Sequence, residues 1–323
     1  MTASIRLVVL LLAASFPAAA RAASCCGGGG GGASVLPRGA TAMLDLGGDL
    51  ERYDGYWDTG RVHLPDPPGA RLAQTRLNLT GAVRLASDWQ AAATLPYAWN
   101  DNVYAGAGRA SHTRGPGDAT LSAWYEAWSE RSAWRVAGLS DLLPSITLGP
   151  TLTIPTGVSP YDQVTSSFDV TGRGFYRLDA TVLLDKSYRA WSASLSVAYG
   201  RFFERPINRL DGHWVEPYRK RLGDRASIGG SLGHRSFLGM GGTSLALAVA
   251  ISWLQEARGT IAGAPDPATG MERASLTGTL TWAGTDEDWS ARLSWNHAVQ
   301  RDGWGRNFPT TDIYSLGVRY VRP

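Results

Sequence analysis

Ser294, Asn296 and His297 stand on one short stretch and supply the residue types of a hydrolase: a hydroxyl nucleophile, an amide and a base. Side chains of an extended chain alternate between faces, so Ser294 and His297 point to opposite sides and cannot share a proton. His234 and Ser236 do share a face, yet no carboxylate or amide lies near them in sequence to orient the base. Catalysis is not expected. The five histidines, His63, His112, His213, His234 and His297, lack the paired spacing of a metal site. Cys25 and Cys26 are adjacent and run into the glycines Gly27 to Gly32. Such thiols in an oxidising compartment bind a soft metal ion, exchange disulfides with a periplasmic partner, carry a lipid at Cys25, or go unused. The sequence leaves these roles open, and no resident cofactor is expected. The glycine run lacks the Gly-Lys-Ser/Thr ending of a phosphate loop.

The compartment follows from the start of the chain. Arg6, an apolar run from Leu7 to Phe16, Pro17 and the small residues ending in Ala20-Arg21-Ala22 form a secretory signal with an Ala-x-Ala cleavage site. Residues 1–22 are read as signal peptide, 23–39 as a flexible Cys-Cys and polyglycine tail, and 40–323 as a single domain. No later segment offers the ~20 consecutive apolar residues of a membrane helix. A net charge of +3 without a concentrated basic face gives nucleic acid nothing to bind.

The domain is written in combs with a period of two. Tyr176, Leu178, Ala180, Val182 and Leu184 alternate with Arg177, Asp179 and Thr181, and Trp191, Ala193, Leu195, Val197 and Tyr199 alternate with serines. The join is read at Asp185 to Tyr188. Aromatic residues sit near the ends of these combs and aliphatic ones fill the middle, the pattern of a strand crossing a bilayer with a ring at each boundary. Similar combs recur from Leu44 to Tyr320, with the least regular between Ala119 and Trp128, where Trp124 and Trp128 fall on the polar face. Pro150 inside its comb suggests a bulge or a distorted strand. Short joins, as at Ser87-Asp88 and Gly284 to Asp288, alternate with long connections such as 100–117, 157–171 and 204–223. The fold class is therefore all-β: a transmembrane, antiparallel, up-and-down β-barrel of about twelve strands in the outer membrane of a Gram-negative-type cell. Its setting is outer-membrane lipid and lipopolysaccharide, whose phosphates the basic residues of the 205–225 connection would meet.

The polar faces then line a lumen. They carry threonine and serine with charges of both signs, and Arg84, Glu126, Arg177, Asp179 and Arg292 are the candidate solute pathway, forming a ladder across a narrow passage. The same charges would also serve by pairing with one another to fill a small barrel.

Gly117-Asp118, Leu152-Thr153-Ile154-Pro155-Thr156-Gly157 and Thr171-Gly172-Arg173-Gly174-Phe175-Tyr176 resemble outer-membrane transporters of the phenol meta-degradation pathway type, distant relatives of the fatty acid and toluene channels. The resemblance spans mainly Gly117 to Phe203 and implies passive uptake of a small, often hydrophobic molecule. The chain lacks a long N-terminal segment to act as a plug and ends Tyr320-Val321-Arg322-Pro323 instead of on an aromatic residue. The expected function is a passive channel for a small solute, neutral or weakly polar to hydrophobic. A non-conducting structural or receptor barrel, or a metal- or redox-linked protein using Cys25 and Cys26, is the alternative.

Overall fold

The computed structural model describes residues 34–105, 109–130, 138–162, 164, 166, 168–211, 214–238 and 242–323. Cys25 and Cys26 lie outside them. Twelve long strands form the body: β1 (Ala42–Trp57), β2 (Arg71–Arg84), β3 (Trp89–Tyr104), β4 (Ala119–Trp128), β5 (Ser145–Ile154), β6 (Arg177–Tyr188), β7 (Trp191–Phe202), β8 (Arg225–Phe237), β9 (Ser244–Glu256), β10 (Met271–Ala283), β11 (Trp289–Ala298) and β12 (Phe308–Arg322). Each pairs antiparallel with the next, and β12 returns to β1 in a register running from Ala42 opposite Arg322 to Trp57 opposite Phe308. The sheet is closed, so no edge leaves backbone groups unpaired in lipid.

The alternation decides which face meets what. Leu178, Val182, Leu195, Val197, Leu247, Ile251, Leu293 and Leu316 are exposed on the outside. Trp89, Tyr125, Trp191, Trp282, Trp289 and Tyr320 ring the turn end, and Tyr97, Trp99, Tyr176, Tyr199, Trp295 and Tyr314 ring the other. An apolar band between two aromatic girdles is the exterior of a barrel surrounded by lipid. No helix among the described residues is long and apolar enough to cross a membrane.

Several expected boundaries move. Asp185 to Tyr188, read as a join, pair with Ser194 to Trp191, and the chain turns at Arg189-Ala190 instead, with Arg189 at a φ of 54°. A polar run at the rim of a barrel can remain strand, because water replaces lipid there. The 100–117 connection is partly a hairpin, since Arg109–Pro116 pairs with the far end of β3. The 204–223 connection is a second hairpin, Arg205–Asp211 with Trp214–Arg221. Pro150 holds unbroken register against Ala180. The ladder opens on its other side, between Ser122–Thr151 and Tyr125–Leu148. A register shift between Glu126 and Trp128 puts Trp128 opposite outward-facing Ile146, so it joins the girdle while Trp124 stays inside.

Candidate functional site

The lumen encloses a chamber of about 540 Å³. Its wall is made by the inward positions of nearly every strand, and two stretches of chain stand at its ends. Ser34 borders it on the turn side and Thr171 on the loop side.

At the turn end, the last part of the segment expected to be a flexible tail is packed into the barrel. Leu36 and Ala40 are buried against Met43, Ala82 and Ala92. The Leu36 N–H donates to Gln90 Oε1 at 2.5 Å, and Gln90 Nε2 donates to Glu126 Oε1 at 2.9 Å. Arg84 pairs with Glu126 at 2.9 Å and donates from Nε to the Ala40 carbonyl at 2.9 Å. Arg84 and Glu126, expected on the solute pathway, are thus paired here as the clasp of an N-terminal segment. Neither is part of the chamber lining.

At the loop end, residues 168–173 are drawn inside. Asn100 Nδ2 donates to the Val170 carbonyl at 2.9 Å, and Asn102 Nδ2 and the Tyr104 hydroxyl donate to Asp169 Oδ1 at 3.1 and 3.0 Å. These anchors are on β3. Four residues further on, Arg173 makes a two-pronged pair with buried Glu256 of β9, at 2.5 and 2.8 Å. β3 and β9 stand diametrically opposite in the ring, so this stretch bridges the lumen, its backbone staying at the β3–β4 wall and the Arg173 side chain making the reach. Asp118, just ahead of β4, accepts the backbone N–H groups of Arg173 at 2.6 Å and Gly157 at 3.2 Å. Burial pushes its carboxyl above the usual range, against the pull of those two donors.

The remaining charges sit in pairs on facing walls. Arg177 Nε donates to both Asp179 oxygens at 2.9 and 2.8 Å, and the pair lines the chamber from β6. Asp45 on β1 takes Arg319 Nε at 2.8 Å and Arg292 at 3.5 Å. Asp49 takes Asn78 at 2.8 Å and Arg76 at 3.8 Å. Between the charges, hydroxyls pair across strands: Thr80 with Thr94 at 2.9 Å and Ser122 with Thr151 at 2.8 Å. The Trp124 indole lies against Gly149, where an added Cβ would collide with its ring. The indole N–H is buried with no hydrogen-bond partner among the described residues.

The hydrolase-like stretch separates as its spacing requires. Ser294 is buried on the inside, while His297 contacts Asp312 at 3.0 Å on the outside. Asn296 is taken up by Arg273 at 2.5 Å and Thr277 at 2.7 Å. No group of three or more potential metal ligands occurs among the described residues. Sequence reasoning missed the Leu36–Gln90 contact and the crossing segment. The two apolar side chains Leu36 and Ala40 beside the polyglycine were the available signal for the first.

No family model matches the chain. No curated protein matches it. Among solved structures, an outer membrane channel from Pseudomonas putida F1 is similar at a TM-score of 0.62 and 16% identity, covering 89% of this chain and 97% of that one. The β domain of a Bordetella autotransporter follows at 0.48 and 15%, covering 87% and 99%. A mutant monoaromatic hydrocarbon channel gives 0.39 and 11%, covering 88% and 90%. At these identities the first likeness shows the fold, a closed antiparallel barrel over nearly the whole length of both chains.

Proposed function

We propose that this chain is an outer-membrane channel that passes a small solute, neutral or weakly polar to hydrophobic, passively through its lumen. The observation that carries the reading is the chamber itself. A barrel that served only as a membrane anchor would fill its interior with side chains, whereas here a space of about 540 Å³, bordered by many hydroxyl and charged residues, is kept open between two pieces of chain. Passage requires that one or both pieces move. The structural neighbour from Pseudomonas putida F1, itself described as an outer membrane channel, supports the same reading. Export by the 1–22 signal and a lipid-facing band with two girdles support the location.

The test is planar-bilayer conductance of the full-length protein, with swelling of solute-loaded liposomes alongside. Steady or intermittent conductance, or solute-dependent swelling, supports the channel. A tight bilayer around folded, heat-modifiable protein overturns it in favour of a non-conducting structural or receptor barrel. The crossing from Asn102 to Glu256 is the feature that favours this second reading.

A further inference from the structure

The chamber wall also says what kind of solute fits. Four carboxylates, Asp45, Asp49, Asp118 and Asp179, and four guanidinium groups, Arg76, Arg177, Arg225 and Arg292, face it, so the formal charges of the lining cancel. Each carboxylate is also held at the wall. Asp45, Asp49 and Asp179 have arginine partners, and Asp118 has two backbone N–H groups. An anion entering would meet carboxylates on facing walls, and a cation would meet arginines. Neither finds the ring of one sign that selects an ion.

What remains available is hydroxyl. Thr80, Thr94, Ser122, Thr151, Thr181 and Ser196 line the space, and in the two cross-strand pairs among them either oxygen can be the donor. A hydroxyl rotates to give or accept, so such a wall matches a solute that also carries several hydroxyls and needs no fixed pattern to do so. A purely apolar solute would strip these groups of water and return no hydrogen bond. The volume is that of a pocket for a molecule of some tens of atoms at most.

Resting on the channel reading above, we propose that the chamber takes a small, neutral, polyhydroxylated solute of the sugar or polyol class. The hydrophobic end of the solute range implied by the sequence resemblance is then excluded from the central path.

The experiment uses full-length protein in liposomes loaded in turn with arabitol, sucrose, the zwitterion glycine betaine and sodium gluconate, together with the reversal potential in a potassium chloride gradient. Swelling by the two neutral polyols severalfold faster than by betaine or gluconate, with a reversal potential near zero, is the expected result. Replacing Thr181 with Val and Ser196 with Ala should then slow polyol swelling severalfold while the reversal potential stays near zero, because neither side chain carries a charge. Swelling that is as fast for gluconate or betaine, or a strongly anion- or cation-selective reversal potential, overturns the solute class and leaves the channel standing. Absence of permeation by every solute overturns the channel and this inference together.

Discussion

Inside the barrel, the backbone N–H of Leu36 donates to the side-chain oxygen of Gln90, and both residues are buried. The bond joins a segment just outside the first strand to the wall of the third. Gln90→Ala removes the acceptor and leaves a buried N–H unpaired, at a cost of about 1–3 kcal/mol. The barrel itself should hold, because every ladder remains. Detachment of the segment should rise on the order of tenfold. Tryptic cleavage at Arg38 in the folded protein and the frequency of channel openings should rise together, and an unchanged cleavage rate would show that Gln90 does not hold the segment.

The pair on β6 sets a second expectation. Arg177 and Asp179 neutralise each other on one wall, so removing either leaves a charge facing the lumen. Asp179→Asn should move the reversal potential toward anion preference, and Arg177→Gln toward cation preference. Equal shifts in one direction would mean that the pair does not face the conducting path. The shift should shrink at 1 M salt, where the Debye length is about 3 Å.

Much of this arrangement is visible in the sequence and some is not, for a physical reason in each case. Which way Leu195 or Ser196 points follows from a period of two, because lipid tolerates one and water the other. Trp128 defeats the rule by one residue, since a register shift beyond Glu126 turns it outward. Ion partners are less legible. Arg292 and Asp45 meet only because β12 lies between β11 and β1 at the closure of the ring, and nothing local to either residue records that. The Arg205–Arg221 hairpin reads as a loop because its prolines, glycine and clustered charges break any alternation in the sequence, with no lipid to impose one.

The face assignment itself is testable at two neighbouring positions. Leu195→Arg places a cation in the middle of the lipid-facing band, which costs about 2–4 kcal/mol in such barrels. Ser196→Arg puts the same group into the chamber, where water and carboxylates accommodate it. Urea titration of the folded barrel should show a lowered midpoint for the first and little change for the second. Conductance should reverse the order, with the second reduced by obstruction. A matching loss of stability in both would mean that the two faces are not distinguished as described.

Gly149 and Trp124 set the last expectation. The indole occupies the space a side chain at position 149 would need, and an added Cβ would collide with both the Trp124 ring and the Ala123 carbonyl oxygen. The β4–β5 ladder is already open at these residues, between Ser122–Thr151 and Tyr125–Leu148, so the indole sits where the wall has no rungs. Gly149→Ala must push the ring into the chamber and part the strands further. Overpacking of this kind costs about 1–3 kcal/mol. The thermal or urea midpoint of the barrel should fall, and solute passage should fall with it. Trp124→Ala in the Gly149→Ala background removes the ring clash but leaves the carbonyl contact, so it should recover part of the stability and restore passage. Full recovery of stability would place the whole cost on the indole, and none would place it on the backbone of Ala123.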